Sequence, residues 1–300
     1  MRALRHGMHM ALAAWMLSAT AFGLDVPTAS SRPAAIVASL TKQATVLLPH
    51  GGQPRMLELF EWIPAGSILK TGSGSSLTLA FQSGVRYVMG EKTRAMVTEV
   101  GLTSVVGQVQ ALAAVPPLPR VPELVKPPTR IGAIRIRGES VKGLYPSERS
   151  ATLAGGTILQ FAPVPGAGKY RVEIEDESGK SVFDAETQSP FVSVSPGVLK
   201  SQTRYYWKVR TLDKPGEVAR GESEFMTLSA DSEKTRAALK EALEKTGDAA
   251  SLALLAAIDR DLGLLSESRE EFRAALAKSP GDAGLSQALE SVERQLASER

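Results

Sequence analysis

Residues Ala65 to Gly90, AGSILKTGSGSSLTLAFQSGVRYVMG, decide the fold class. Leu77, Leu79 and Phe81 alternate with Thr78 and Ala80, the period of two that a half-buried strand requires. Gln82-Ser83-Gly84 supplies a turn, and Val85 to Met89 returns as the partner strand. Upstream, Thr71-Gly72-Ser73-Gly74-Ser75-Ser76 is a glycine-serine corner. Working outward, Ala35–Leu40 and Ala44–Leu48 are short apolar runs, and Pro49-His50-Gly51-Gly52-Gln53-Pro54 breaks the chain. Met56–Trp62, Arg94–Val100 and Thr103–Leu112 read as further strands. About seven or eight short strands at this spacing predict an all-β sandwich or barrel-like module over residues 30–114.

Ala65-Gly66-Ser67-Ile68, Thr71-Gly72, the Leu77–Phe81 strand and Ser83-Gly84 together resemble the core of the FecR-like domain of bacterial envelope proteins. In that family the run is Gly-Asp, hydrophobic, Thr-Gly, Ser, alternating strand, Asp-Gly, alternating strand. Ser67 and Ser83 stand where the family usually has acids. The resemblance implies an all-β domain outside the cytoplasm. Proteins resembling FecR can relay signals across a membrane, a role that needs a span between a sigma-factor-binding part and the sensor. Beyond the first residues no stretch is apolar and long enough for that, so the relay role is not carried over.

The N-terminus gives the expected address. Arg2 and Arg5 precede the apolar run Met8–Leu17, and Ala19-Thr20-Ala21 and Ala21-Phe22-Gly23 place small residues at cleavage positions. Residues 1–23 therefore read as a secretory signal peptide cut near Ala21 or Gly23, which predicts a soluble periplasmic protein. A membrane anchor is the alternative, but the run is shorter than the ~20 residues a spanning helix needs. No cysteine occurs, so neither disulfides nor a lipobox thiol is available, and the domains must stand on their own cores. The formal net charge is +3; without Arg2 and Arg5 there remain 33 basic against 32 acidic residues. That balance argues against a nucleic-acid partner.

Composition shifts at Val115–Pro128, VPPLPRVPELVKPP, where six of fourteen residues are proline. Proline fixes φ and gives up its amide donor, so residues 115–130 read as a stiff linker rather than a central strand. A second β module follows over 131–229. Tyr170-Arg171-Val172-Glu173-Ile174 alternates, Asp176-Glu177-Ser178-Gly179-Lys180 turns it back, and Tyr206-Trp207-Lys208-Val209-Arg210 and Glu224-Phe225-Met226-Thr227 close it. Tyr205 six residues after Leu199, the inward face Tyr205/Trp207/Val209 and the closing Phe225-x-Thr227 resemble a fibronectin type III-like β-sandwich. The resemblance makes Tyr205 the corner tyrosine, its hydroxyl bonded to backbone just upstream.

Beyond Ala230 the period becomes helical, so residues 231–300 are expected to form a helical segment or small bundle. Asp231 or Ser232, Asp248 and Ser266 are candidate caps, and Gly247, Gly263 and Pro280-Gly281 are stops. Leu252, Leu255, Ile258 and Leu262 share one face, Phe272 and Leu276 another, and Leu285, Leu289, Val292 and Leu296 mark a fourth helix. The middle pair resembles one tetratricopeptide repeat at Leu252, Leu255, Ala256, Gly263, Phe272, Ala275 and Pro280, with Ser268 for the small alanine and Asp259 for the usual tyrosine. Asp259, Arg260, Asp261, Glu267, Arg269 and Glu270 read as outer, solvent-facing positions.

Catalytic chemistry finds little support. His50 is the one histidine after the leader, so a Cys/His or multi-His zinc site is excluded and no triad motif surrounds it. Gly72-x-Gly74 lacks the ending and following helix of a phosphate loop. Glu173, Glu175, Asp176 and Glu177 read as a solvated edge rather than a calcium site. No catalytic, metal or cofactor-binding residue is assigned. Arg130, Arg135 and Arg137 form a basic patch, read either as edge-strand protection or as a contact for peptidoglycan or another anionic envelope polymer. The expectation is a mainly β multidomain protein that binds or scaffolds in the envelope without being an enzyme, docking another envelope protein through its C-terminal helices. The alternatives are an envelope polysaccharide-acting hydrolase or accessory subunit, and a soluble signal-sensing component. The helices would alternatively be a lid on the second module.

Overall fold

The computed structural model describes residues 33–119, 140–147, 150–213 and 218–298. The leader, residues 120–130 of the proline segment, and Arg130, Arg135 and Arg137 lie outside them. Over these residues the chain is mainly β, with two β modules followed by four helices, in agreement with the fold class read from the sequence.

The first module holds β1 (Pro33–Thr41), β2 (Ala44–Leu47), β3 (Arg55–Met56), β4 (Trp62–Pro64), β5 (Ile68–Thr71), β6 (Ser76–Phe81), β7 (Arg86–Met89), β8 (Arg94–Val97), β9 (Leu102–Val106) and β10 (Val109–Leu112). They make two five-stranded antiparallel sheets, β10-β7-β6-β1-β4 (sheet A) and β3-β2-β5-β8-β9 (sheet B). Val37, Val46, Leu69, Leu77, Leu79, Phe81 and Val97 fill one shared core. The alternation of β6 thus places Leu77, Leu79 and Phe81 inside as the pattern requires.

Two segments differ from expectation. Met56–Trp62 is not one strand: it divides into β3 and β4 around Phe60, whose φ is +61°. Thr103–Leu112 divides at Gly107 (φ +87°) into β9 and β10, which belong to different sheets. A Cβ on Gly107 would lie 2.7 Å from Thr93 Cα, so only glycine lets the chain cross there.

Gly84 has the same kind of reason. A Cβ there would stand 2.0 Å from the Val115 carbonyl oxygen, because the start of the proline segment passes over the β6–β7 turn. Val115 N–H donates to Gly84 O (3.0 Å), Leu118 N–H to Gln82 O (3.0 Å), and Gln82 Nε2 to Leu118 O (2.7 Å). Leu118 is buried, so the first residues of the proline stretch are packed structure rather than open spacer.

The second module holds β11 (Ala151–Thr152), β12 (Ile158–Gln160), β13 (Tyr170–Asp176), β14 (Ser181–Thr187), β15 (Phe191–Ser193), β16 (Arg204–Thr211) and β17 (Arg220–Thr227). Sheet C, β11-β17-β16-β13-β14, packs over the pair β12-β15 around Val172, Ile174, Tyr205, Trp207, Val209 and Phe225. This is a β-sandwich of the fibronectin type III kind. The Tyr205 hydroxyl accepts from Lys200 N–H at 2.8 Å, the corner bond expected from the sequence. Trp207 is fully buried, and its indole N–H donates to Pro146 O at 2.9 Å.

Four helices follow: α1 (Ala230–Thr246), α2 (Ala249–Asp261), α3 (Leu265–Lys278) and α4 (Ala283–Ser298). Ser229 caps α1 through Ser232 N–H, two or three residues earlier than expected, and Gly247 ends it at φ +69°. Asp248 caps α2 through Ser251 N–H at 2.8 Å. Ser266 is not a cap: α3 begins at Leu265 without a side-chain cap, and Ser266 N–H donates instead to the Tyr145 hydroxyl of the second module (3.1 Å). A tertiary partner here satisfies a donor that helix starts leave open.

Candidate interaction surfaces

The helices join both β modules in one apolar core. Ile36, Ala38, Phe60, Ala80 and Leu118 from the first module and Ala151 and Leu228 from the second pack with Leu239, Leu255, Phe272 and Val292 of the helices. In α2 every residue from Ser251 to Asp259 is buried. The apolar face read from Leu252, Leu255 and Ile258 is only half of it, since Ala253, Leu254, Ala256 and Ala257 are covered too. A helix apolar on all sides belongs in an interior.

Phe60 is the most strained element of this junction. A bulky side chain at positive φ is an outlier, and here it is held by Phe60 N–H to Val37 O (2.9 Å) and by the ring of Phe272, 5.5 Å away. Beside it, the Trp62 indole N–H donates to Asp261 Oδ2 at 2.7 Å, while Arg260 pairs with Asp261 Oδ1 at 2.8 Å. On the second-module side, Ala154 N–H donates to Glu233 Oε1 (2.6 Å) and Ala151 N–H to Gly263 O (2.9 Å). None of these partners carries a local sequence signal, which is why Phe60, Trp62 and Tyr145 escape a reading by period alone.

The residues read as outer positions of the helices are corrected by this packing. Asp259 is fully buried and takes the Arg236 guanidinium on both oxygens, with Arg236 Nε to Asp259 Oδ1 at 2.8 Å. Asp261 lies at the junction with Trp62, and of the six only Glu270 is exposed. Glu271, also buried, accepts from Arg236 (3.2 Å) and Lys240 Nζ (2.9 Å) through Oε1, leaving Oε2 without a partner. Burial, then the nearby Asp259 carboxylate, pushes the Glu271 carboxyl up to about 8. Burial also raises Glu267. For Arg236 burial acts downward, yet the bond to Asp259 and the charges of Asp259 and Glu271 outweigh it and hold the guanidinium above its usual range. The sequence hinted at this cluster only through Asp259 standing where a tyrosine is usual.

The outer face of sheet C is mostly charged, with Tyr206 and Met226 as apolar or neutral interruptions. Arg171, Arg210 and Arg220 stand opposite one another on β13, β16 and β17, and Glu173, Lys208 and Glu222 form the next row. Together these six line a shallow depression. Arg171 pairs with Asp184 (Nε to Oδ1, 2.8 Å), Lys208 with Glu175 (2.7 Å) and Lys169 with Glu186 (2.6 Å). Among the described residues Arg210 and Arg220 have no ion pair. Like charges directly opposite repel, so this row leaves positive potential at one end of the face.

Of the acids read as a solvated edge, Glu177 is exposed, but β13 lies between β16 and β14 rather than at an edge, and Glu173, Glu175 and Asp176 are half-buried. Asp176 Oδ1 accepts from the Ser178 hydroxyl and backbone N–H and from Lys180 N–H, closing the β13–β14 turn, and the Ser178 hydroxyl draws its carboxyl below the usual range. His50 sits on an exposed turn. Among the described residues no group of three or more His, Asp or Glu is arranged to hold a metal, and no helix is long and apolar enough to cross a membrane.

No protein-family model and no curated protein matches the chain. Among solved structures, a cell surface anchoring domain is 30% identical over 22% of this chain and 87% of its own, with a TM-score of 0.21. The fibronectin type III domain of human collagen alpha-1(XX) is 16% identical over 31% of this chain and 84% of its own, with a TM-score of 0.26. CopC from Methylosinus trichosporium OB3b is 20% identical over 31% of this chain and 96% of its own, with a TM-score of 0.25. Each of these likenesses spans less than a third of the chain.

Proposed function

We propose that this chain is an exported, non-enzymatic binding or scaffold protein of the bacterial cell envelope. The observation that carries the reading is the shared core in which α1–α4 fasten two β modules together. A body built this way holds its outer faces at fixed separation, which suits a protein that positions partners. The periplasmic address rests on the leader pattern of residues 1–23. A FecR-like identity for the first module is supported by the motif glycines: Gly66 (φ +85°) and Gly84 (φ +86°) both occupy backbone that other residues rarely adopt. A tetratricopeptide-like origin for α2–α3 is supported by Ser268, which fills the small-residue position fully buried and donates to Ala256 O at 2.7 Å.

In this reading a protein partner meets the solvent faces of α1 and α4, where Glu241, Lys245, Glu290 and Arg294 are exposed. An anionic envelope polymer such as peptidoglycan meets Arg130, Arg135 and Arg137, with Arg210 and Arg220 as a second basic surface. The test is fractionation of cells expressing the tagged chain, followed by incubation of the purified protein with peptidoglycan. A chain processed near Ala21 or Gly23, found in the periplasmic fraction and sedimenting with peptidoglycan without releasing fragments, is expected. An unprocessed chain in the cytoplasm, or released fragments, would overturn the proposal. Sedimentation lost in Arg210→Glu/Arg220→Glu would assign the polymer contact to sheet C; sedimentation retained would assign it elsewhere.

A further inference from the structure

Among the described residues nine large apolar side chains stand exposed, and five of them, Met56, Met96, Val100, Val105 and Val106, belong to sheet B or to the turn before its last strand. Ile68 lies opposite Met96, and Met96 opposite Thr103, so an apolar to neutral row runs across the outer face to β9. β9 is the end of that sheet, and among the described residues nothing pairs with its free edge.

An open edge is a template for another strand, and proteins usually blunt it with charge, proline or short length. Of the other sheet ends, all but the four-residue, uncharged β10 follow that rule. β3 and β11 are two residues long, β12 and β15 three, β4 contains Pro64, and β14 carries Asp184 and Glu186. β10 exposes only Gln110 and Ala111. β9, Leu102-Thr103-Ser104-Val105-Val106, has neither charge nor proline and leaves Val105 58% and Val106 60% exposed. A bulge sets Val105 out of register with β8. That device often guards an edge, but here the bulged residue is an exposed valine.

We propose that β9 is the contact strand of a homodimer, two copies pairing antiparallel about Ser104 so that their sheets B become one continuous sheet. The second copy is favoured as occupant by charge. Arg94 lies on β8 opposite Val106, at one end of β9, and Glu99 lies in the turn at the other end. Both are exposed, and neither has an ion pair within the described chain. A two-fold axis at Ser104 sets Leu102 opposite Val106 of the second copy, which brings each Glu99 turn alongside the other copy's Arg94 end. The symmetric contact thus forms two opposite-charge encounters at once, and it sets no like charges opposite each other along the strand.

Sedimentation velocity or light scattering of the purified protein at a concentration on the order of 100 µM is expected to show a dimer. Val105→Lys places a charge on the edge and should leave a monomer with unchanged circular dichroism and melting. Glu99→Arg should weaken the dimer about tenfold, with Arg94→Glu added to it restoring affinity. Neither side chain has an ion pair in the chain, so the swap should leave the fold intact. A protein monomeric at that concentration, a dimer unaffected by Val105→Lys, or a Glu99→Arg loss that Arg94→Glu does not restore would overturn the proposal.

Discussion

Sheet A of the first module and sheet C of the second each have five strands, and they treat their outer faces in opposite ways. In sheet C the strands β13 and β16 alternate strictly: Val172, Ile174, Tyr205, Trp207 and Val209 go inward, while Arg171, Glu173, Lys208 and Arg210 face water. In sheet A the inner strand β1, between β6 and β4, is buried continuously from Ala34 to Ala38. Ala35 and Val37 belong to the module's own core, whereas Ile36 and Ala38 belong to the core shared with the helices. A sheet covered on both faces loses its polar alternation, and small residues such as Ala38 and Ala80 let α2 approach. The helices are therefore as much the second layer of the first module as an appendage of the second.

The largest effect should come from removing that layer. Deleting residues 230–298 uncovers Ile36, Ala38, Phe60, Ala80 and Leu118 on the first module and Ala151 and Leu228 on the second. Early melting or aggregation, with dye binding to exposed apolar surface, is expected. Two β modules that keep the melting of the full chain would show that sheet A does not need its cover.

Next comes the core of the other sheet. Trp207→Ala removes a fully buried ring and orphans the Pro146 carbonyl, and should cost about 3–5 kcal/mol. Chemical denaturation should show the second module unfolding first. A stable variant would mean that the sandwich closes around the cavity and that its alternation carries less than it suggests.

The helix layer should also respond to pH in a way the charged face of sheet C does not. Glu271 faces Arg236 and Lys240 on α1 and Asp259 on α2, and Glu267 stands four residues before it on α3. Its folded value of about 8 lies above the ordinary 4.5, so between these the folded chain holds the proton that the unfolded chain has released. Its contribution is present below the ordinary carboxylate range and is lost as pH rises towards 8, with a slope of at most about 1.4 kcal/mol per pH unit. Glu271→Gln should flatten that slope in urea titrations run across the window. An unchanged slope would place the effect on other groups.

The smallest effect belongs to the face of sheet C. Arg171→Ala breaks the pair with Asp184 between exposed side chains, where water and salt screen the attraction. Melting should stay close to that of the parent protein. A clear loss would show that this face is covered in solution and would end its contrast with sheet A.

Much of this architecture is legible in single residues. The Leu77/Leu79/Phe81 alternation, the Tyr205–Trp207–Val209 face, the stops at Gly247 and Gly263 and the Asp248 cap act through neighbours a few positions away, so their spacing suffices to place them. Even the second cover on β1 leaves a trace, since Ala34-Ala35-Ile36-Val37-Ala38 offers no polar face to water. The candidate surfaces were less readable. Asp259 and Asp261 look like solvent positions by composition, and only the fold sets Arg236 and Trp62 beside them.

What the chain determined by itself, then, is the type of each element and the order of the modules, because strand and helix periods, turns and most caps are local physics. The tertiary structure decided where the helices lie and what that demands: a phenylalanine at positive φ, a tyrosine of the second module answering an uncapped helix start, and a buried carboxylate beside a guanidinium. Each joins residues far apart in sequence, Phe60 with Phe272, Tyr145 with Ser266 and Arg236 with Asp259. No periodicity encodes such pairs, since their stabilisation appears only once two surfaces have excluded water between them.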